Sequence, residues 1–183
     1  MRADAARNVE VVLTTGARLL SENASVSIAA IAAAAGVDRR TVYRRFASRE
    51  ELLAAVRQAR LDAVERVIEA ARLPHAPVAV ALHRYAEGII TVNRDWPVEP
   101  GLLHADPTTR ARRDGFADQV DAFLRRATDE GLLRAGLPPG WAGALLRQLL
   151  HLAVRELPDL DAGAAADLVV ETYLRGVGRQ RRP

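Results

Sequence analysis

The stretch Gly36-Val37-Asp38-Arg39-Arg40-Thr41-Val42-Tyr43-Arg44-Arg45-Phe46, GVDRRTVYRRF, sets four arginines around a threonine and a tyrosine, with apolar side chains threaded between them. Asp38 is a helix-capping residue, so the spacing predicts a short helix from Asp38 to Phe46. Val42 and Phe46 stand four apart and share one face, which seats the helix on a core. Arg39, Arg40, Thr41, Tyr43 and Arg44 are then left on the outer face. Such a face is either solvated and nothing more, or it grips something acidic.

The residues on either side decide between these readings. From Ala5 to Glu22, Val9, Val12, Leu13, Gly16, Ala17 and Leu20 recur at helical spacing, and Ser21, Asn23 and Ser25 break the pattern. Ser27 caps a second short helix whose inner stripe is Ile28, Ile31, Ala32 and Ala35. Gly36 supplies the sharp turn into the third helix. Ser48-Arg49-Glu50-Glu51 is a capping box, and it opens a fourth helix from about Arg49 to Ala71. Two short helices joined by a glycine turn form the layout of a helix-turn-helix, whose second helix lies in the major groove of DNA. Arginine reads guanine bidentately or pairs with phosphate, while threonine and tyrosine hydroxyls suit phosphate contacts that fix register. Ser27 and Arg49 sit at helix starts, where free N–H groups favour a phosphate.

The bulk composition agrees with this reading. In 183 residues 49% are hydrophobic but only 4% aromatic, so the core is built from Ala, Leu and Val, and an all-α chain is expected. There is no cysteine, which excludes a disulfide scaffold and a thiolate metal site and fits a reducing, cytoplasmic setting. No apolar run approaches the roughly 20 residues that span a bilayer, and the early charges of Arg2, Asp4, Arg7 and Glu10 do not read as a signal peptide, so no membrane partner is expected. The net charge is +3, and residues 1–50 hold all of it, with eight Arg against five acids. Every basic group is Arg, which contributes to the high isoelectric point.

The segment from Ser27 to Leu52, with its Ile-Ala…Ala-Gly-Val pattern, its Thr41-Val42-Tyr43 step and Phe46 followed by Ser-Arg-Glu-Glu-Leu, resembles the DNA-binding region of the TetR family of bacterial transcriptional regulators. The resemblance covers about the first 55 residues at motif level. It implies an N-terminal three-helix DNA-binding domain with a helix-turn-helix, residues 1–50, and a larger helical ligand-binding and dimerisation domain, residues 51–183, about nine helices in total. It also implies a DNA-bound homodimer on a double-stranded operator, a repressor released by a small-molecule inducer, no enzyme activity and no cofactor. By family position Ser27, Thr41, Tyr43 and Arg49 are similar to phosphate-contacting residues, and Arg39, Arg40 and Arg44 to groove-facing ones. Ala29 and Ala30 stand where the family usually has polar residues, and Arg49 where Lys is common.

Beyond the motif, Pro74 and Pro77 close the fourth helix and mark the strongest break in the chain. Helices are expected over Val78–Arg94, Thr108–Glu130, Pro139–Glu156 and Asp161–Val177, with a short helical turn near Gly101–His104 and a frayed tail, Arg179–Pro183. Asp159 and Asp161 read as helix caps. Pro139–Glu156 is apolar on more than one side, so it is covered either by its own chain or by a second copy. The resemblance implies a four-helix dimer interface there, with Leu145, Leu149, Leu152, Leu168, Tyr173 and Leu174 as candidates. A ligand pocket between Val78–Arg94 and Thr108–Glu130 has His83, Tyr85, Trp96, His104, Phe116 and Phe123 as candidates, although such residues more often serve packing. His83, His104 and His151 are too scattered to read as metal ligands. The other function class left open is a helical small-molecule-binding or interaction protein that does not act through DNA.

Overall fold

The computed structural model describes residues 2–97 and 106–178, with side chains from Arg7 onward. Eight helices make up the described chain: α1 Arg2–Glu22, α2 Ile28–Ala34, α3 Arg39–Arg45, α4 Arg49–Ala71, α5 Val78–Asp95, α6 Pro107–Asp129, α7 Trp141–Glu156 and α8 Ala162–Val177. The predicted turn at Gly101–His104 and the tail Arg179–Pro183 lie outside the described residues. The chain divides into two compact units, and the division falls inside α4.

The first unit runs to Asp62 and includes Asp95–Arg110. Its core holds most of the stripe read from the sequence: Val12, Leu13, Ala17 and Leu20 of α1, Ile28, Ile31 and Ala32 of α2, and Val42 and Phe46 are buried, joined by Leu52 and Val56 of α4, whereas Val9 and Ala35 are half-buried. Gly16 lets α1 come close to its neighbours, since a Cβ there would lie 3.6 Å from Val56 and 3.7 Å from Ile31. Gly36 takes φ 66°, a left-handed turn between α2 and α3 that other residues adopt only with strain. The Ser48 hydroxyl accepts from the Glu51 N–H at 3.1 Å, and the Glu51 carboxylate reaches back past Ser48 to the Ala47 N–H at 2.9 Å. These two bonds fix where α4 begins.

The second unit comprises Ala63–Arg94 and the chain from Ala111 onward. Its core holds Leu82, Tyr85, Ile90, Phe123, Leu146, Leu150 and Tyr173 among others. Val67 of α4 meets α5 so closely that a Cβ on Gly88 would lie 2.5 Å from a Val67 methyl. Arg126 of α6 donates to the carbonyls of Leu73 and Ala76 at 2.7 and 2.8 Å, pinning the turn that follows α4. Arg94 likewise donates to Leu157 O at 2.8 Å, satisfying a carbonyl at the end of α7. Asp161 caps α8 through the Ala164 N–H, and of the two aspartates read as caps it alone does so. No helix among the described residues is long and apolar enough to cross a membrane.

Candidate nucleic-acid interface

The seat of α3 comes first. Asp38 accepts from the N–H groups of Arg40 and Thr41 at 2.8 and 3.3 Å, which closes the start of the helix. Val42 is 2% exposed and Phe46 4%, so the two residues four apart are the ones that anchor it. The remaining positions follow from that anchorage. Arg39, Arg40, Tyr43, Arg44 and Arg45 are exposed and Thr41 is half-buried. Tyr43, 40% exposed, is one of the few large apolar side chains the protein leaves in water.

The electrostatics of this face are simple. None of Arg39, Arg40, Arg44 and Arg45 forms an ion pair with a described residue. Arg39 lies 5.1 Å from the centre of the Tyr43 ring, a cation–π contact that orders both side chains without neutralising the charge. Arg45 lies 5.5 Å from the Phe46 ring. Arg45 thus partly covers the residue that anchors the helix.

The flanking candidates stand at helix starts. The Ser27 hydroxyl accepts from the Ala30 N–H at 3.1 Å and is exposed at the start of α2. Arg49, half-buried at the start of α4, donates to the carbonyl of Ala24 in the α1–α2 connection. That bond ties the start of α4 to the loop before α2, a tie that no local pattern signals. The structure therefore brings the seven DNA-binding candidates into one small unit, five of them on the outer side of a single capped helix.

The other candidates disperse. Tyr85, Phe116 and Phe123 are buried in the second unit, while Trp96 belongs to the first. His83 is part-exposed, and its Nε2 lies 2.9 Å from Asp167 Oδ1, linking α5 to α8. His104 lies outside the described residues. Among the dimer candidates Leu152 and Leu168 are each 46% exposed, Leu145, Leu149 and Leu174 are half-buried, and Tyr173 is fully enclosed by its own chain. The Tyr173 hydroxyl has no partner among the described residues, and burial pushes its phenol well above the usual range. Trp141, missed as a surface residue, is 52% exposed at the head of the same α7 stripe.

A short capped helix, anchored by two apolar residues and presenting unpaired guanidiniums after a glycine turn, defines a helix-turn-helix DNA-binding regulator. Residues 12–56 match the family model described as bacterial regulatory proteins, tetR family. The transcriptional repressor LfrR of Mycolicibacterium smegmatis is 31% identical over 159 residues, spanning 84% of this chain and 80% of LfrR. The crystal structure of LfrR in complex with proflavine superposes with a TM-score of 0.71 at 27% identity, over 97% of this chain and 99% of that one. AibR in complex with isovaleryl coenzyme A and operator DNA shares the fold, with a TM-score of 0.68 at 22% identity over 90% of this chain and 97% of that one. The chain belongs to the TetR family and is a DNA-binding transcriptional regulator.

Proposed function

We propose that this regulator is a ligand-responsive repressor that binds a pseudo-palindromic operator as a homodimer and is released by a small-molecule inducer. The observation that carries the reading is the outer face of α3, where four exposed arginines lack an acidic partner among the described residues. In this reading residues 1–50 recognise DNA, and residues 51–183 dimerise and bind the ligand. Arg39, Arg40 and Arg44 face the groove, and Ser27, Thr41, Tyr43 and Arg49 hold phosphates that set the register. One seven-residue helix reaches only a few base pairs. Two copies related by a two-fold axis read half-sites about 34–36 Å apart, or a multiple of that. The exposed apolar stripe of α7 and α8, with Trp141, Leu152 and Leu168, is the face that brings the copies together.

The ligand part of the proposal draws on the relatives, one solved with proflavine and one with an acyl coenzyme A and operator DNA. In this chain Tyr85, Phe116 and Phe123, with His83 at the surface, are the side chains around which an inducer would be held. Such a ligand must bind the DNA-incompetent arrangement of the dimer more tightly than the competent one, or it shifts nothing.

The test is an in vitro selection of bound fragments from host genomic DNA, run with purified protein at low and at moderate salt. The expected result is a short palindrome that survives moderate salt, with log affinity falling about 0.9 per phosphate neutralised for each log unit of salt. Recovery of random fragments that wash off with salt would overturn operator recognition. It would leave a helical ligand-binding protein that does not act through DNA.

A further inference from the structure

Between the C-terminal half of α6, the loop after it and the first turn of α7 lies a cleft of about 290 Å3, formed wholly by the second unit. Its apolar lining is Leu124 from α6, Leu137 and Pro138 from the loop, and Ala142 from α7. Two guanidiniums also line it, Arg125 from α6 and Arg134 from the loop. Both are exposed, and neither side chain has an ion-pair or hydrogen-bond partner among the described residues. The loop is held in place at this point. The Arg134 N–H donates to Val177 O at 2.9 Å, and Leu133 and Gly178 form an isolated bridge.

The cleft has a positive balance. One carboxylate, Asp121, lines it, and it forms no ion pair with Arg125 one turn later. Asp121 Oδ1 sits beside the start of α7, 3.0 Å from where a Cβ on Gly143 would be, so glycine at 143 leaves room for it. The cap of α7 is Gly140 at φ 74°, which brings no side-chain oxygen, and the first turn of the helix carries no acid. The positive end of that helix adds to the two arginines.

We infer that this cleft binds a small organic monoanion, a carboxylate carried on an apolar body. The two guanidiniums take the carboxylate, and Leu124, Leu137, Pro138 and Ala142 take the body. At about 30 Å3 per water-sized group, the space holds about ten such groups, the size of an arylalkanoic acid. None of the aromatic residues to which the inducer reading points lines this cleft, and it does not depend on DNA recognition.

The test uses the full chain, titrated calorimetrically and by the fluorescence of Trp141, the residue next to Gly140. The probes are 3-phenylpropanoate and its neutral amide. The expected result is saturable binding of the acid and binding of the amide weaker by about tenfold or more, since a charge-assisted bond contributes about 1.5–3 kcal/mol. Arg134→Gln and Arg125→Gln, both at exposed positions, each weaken the acid, while Asp121→Asn tightens it. Equal binding of acid and amide, no saturation by the acid, or indifference to all three substitutions overturns the site.

Discussion

The arginines of α3 and those of the second unit have the same chemistry and different fates. On α3 the guanidiniums find a ring at most, Arg39 over Tyr43 and Arg45 over Phe46, and no carboxylate among the described residues. In the second unit half of the described arginines find a protein partner, several of them part-buried. Arg112 pairs with Glu65 at 2.5 Å, Arg126 with Glu130 at 2.8 Å and with two carbonyls, and Arg94 with the carbonyl of Leu157. The exposed faces differ in the complementary way. That of α3 is basic, whereas the α7 and α8 stripe leaves Trp141, Leu152 and Leu168 in water. A surface whose charges are unanswered invites an anion, and one whose apolar groups are unanswered invites another apolar surface. In the proposed function this contrast divides the labour between DNA and a second copy of the chain.

The strongest way to break that division is to charge the apolar face. Leu152→Glu combined with Leu168→Glu changes two side chains already half in water, so the helical circular dichroism is expected to stay unchanged. In a dimer each buried unpaired charge costs on the order of 3–5 kcal/mol, so light scattering should report a monomer and operator binding should collapse to single half-sites. A double variant that remains dimeric would remove α7 and α8 as the interface. The next largest effect is on the basic face. Arg44→Ala is expected to cost about 1–3 kcal/mol of discrimination at one or two positions of each half-site. A uniform loss across all sequences would make Arg44 a phosphate contact instead.

The same contrast explains what the sequence disclosed. The helix-turn-helix of the first unit was legible almost to the residue, because α2 and α3 are short and each carries its own punctuation. Ser27, Gly36, Asp38 and the Ser48–Glu51 box are local signals, and they lie where the structure caps or turns the chain. The second unit was legible as helices but not as surfaces. The apolar residues of α7 fall on several sides, and only packing against neighbours decides that Leu146 and Leu150 go in while Leu152 stays out. Tyr173 read as an interface residue, yet its own chain encloses it. The partners of Arg49 and Arg126 are carbonyls 25 and about 50 residues away, contacts that no periodicity encodes. The cleft beside α7 escaped for the same reason, since its arginines lie on a helix and a loop with nothing in common locally.

A smaller effect tests how α3 is held rather than what it holds. Asp38→Ala removes the carboxylate that accepts two N–H groups at the helix start. The expected loss is about 1 kcal/mol of stability, read as a lower urea midpoint with an unchanged slope. DNA affinity should fall with it, because a frayed first turn misplaces Arg39 and Arg40. Stability that falls while affinity stays would show that the DNA itself orders the helix.

The smallest effect concerns an arginine in the first unit that, unlike those of α3, faces an acid. Asp106, just before α6, accepts from the Thr109 N–H at 2.8 Å and from its hydroxyl at 2.7 Å, and its carboxylate lies 4.0 Å from Arg57 Nε. The Thr109 N–H, then its hydroxyl, and further Arg57 hold this carboxyl below the ordinary value of 3.8. Because the folded value is the lower one, the contribution is fully present above pH 3.8 and is lost as pH falls through the depressed value. Asp106→Asn should therefore be slightly less stable than the parent near neutrality, with the gap closing as a urea series is taken below pH 3.8. A gap that stays constant across that range would mean that the carboxylate charge contributes nothing. Arg57, whose buried Nε makes no hydrogen bond among the described residues, would then be held by packing alone.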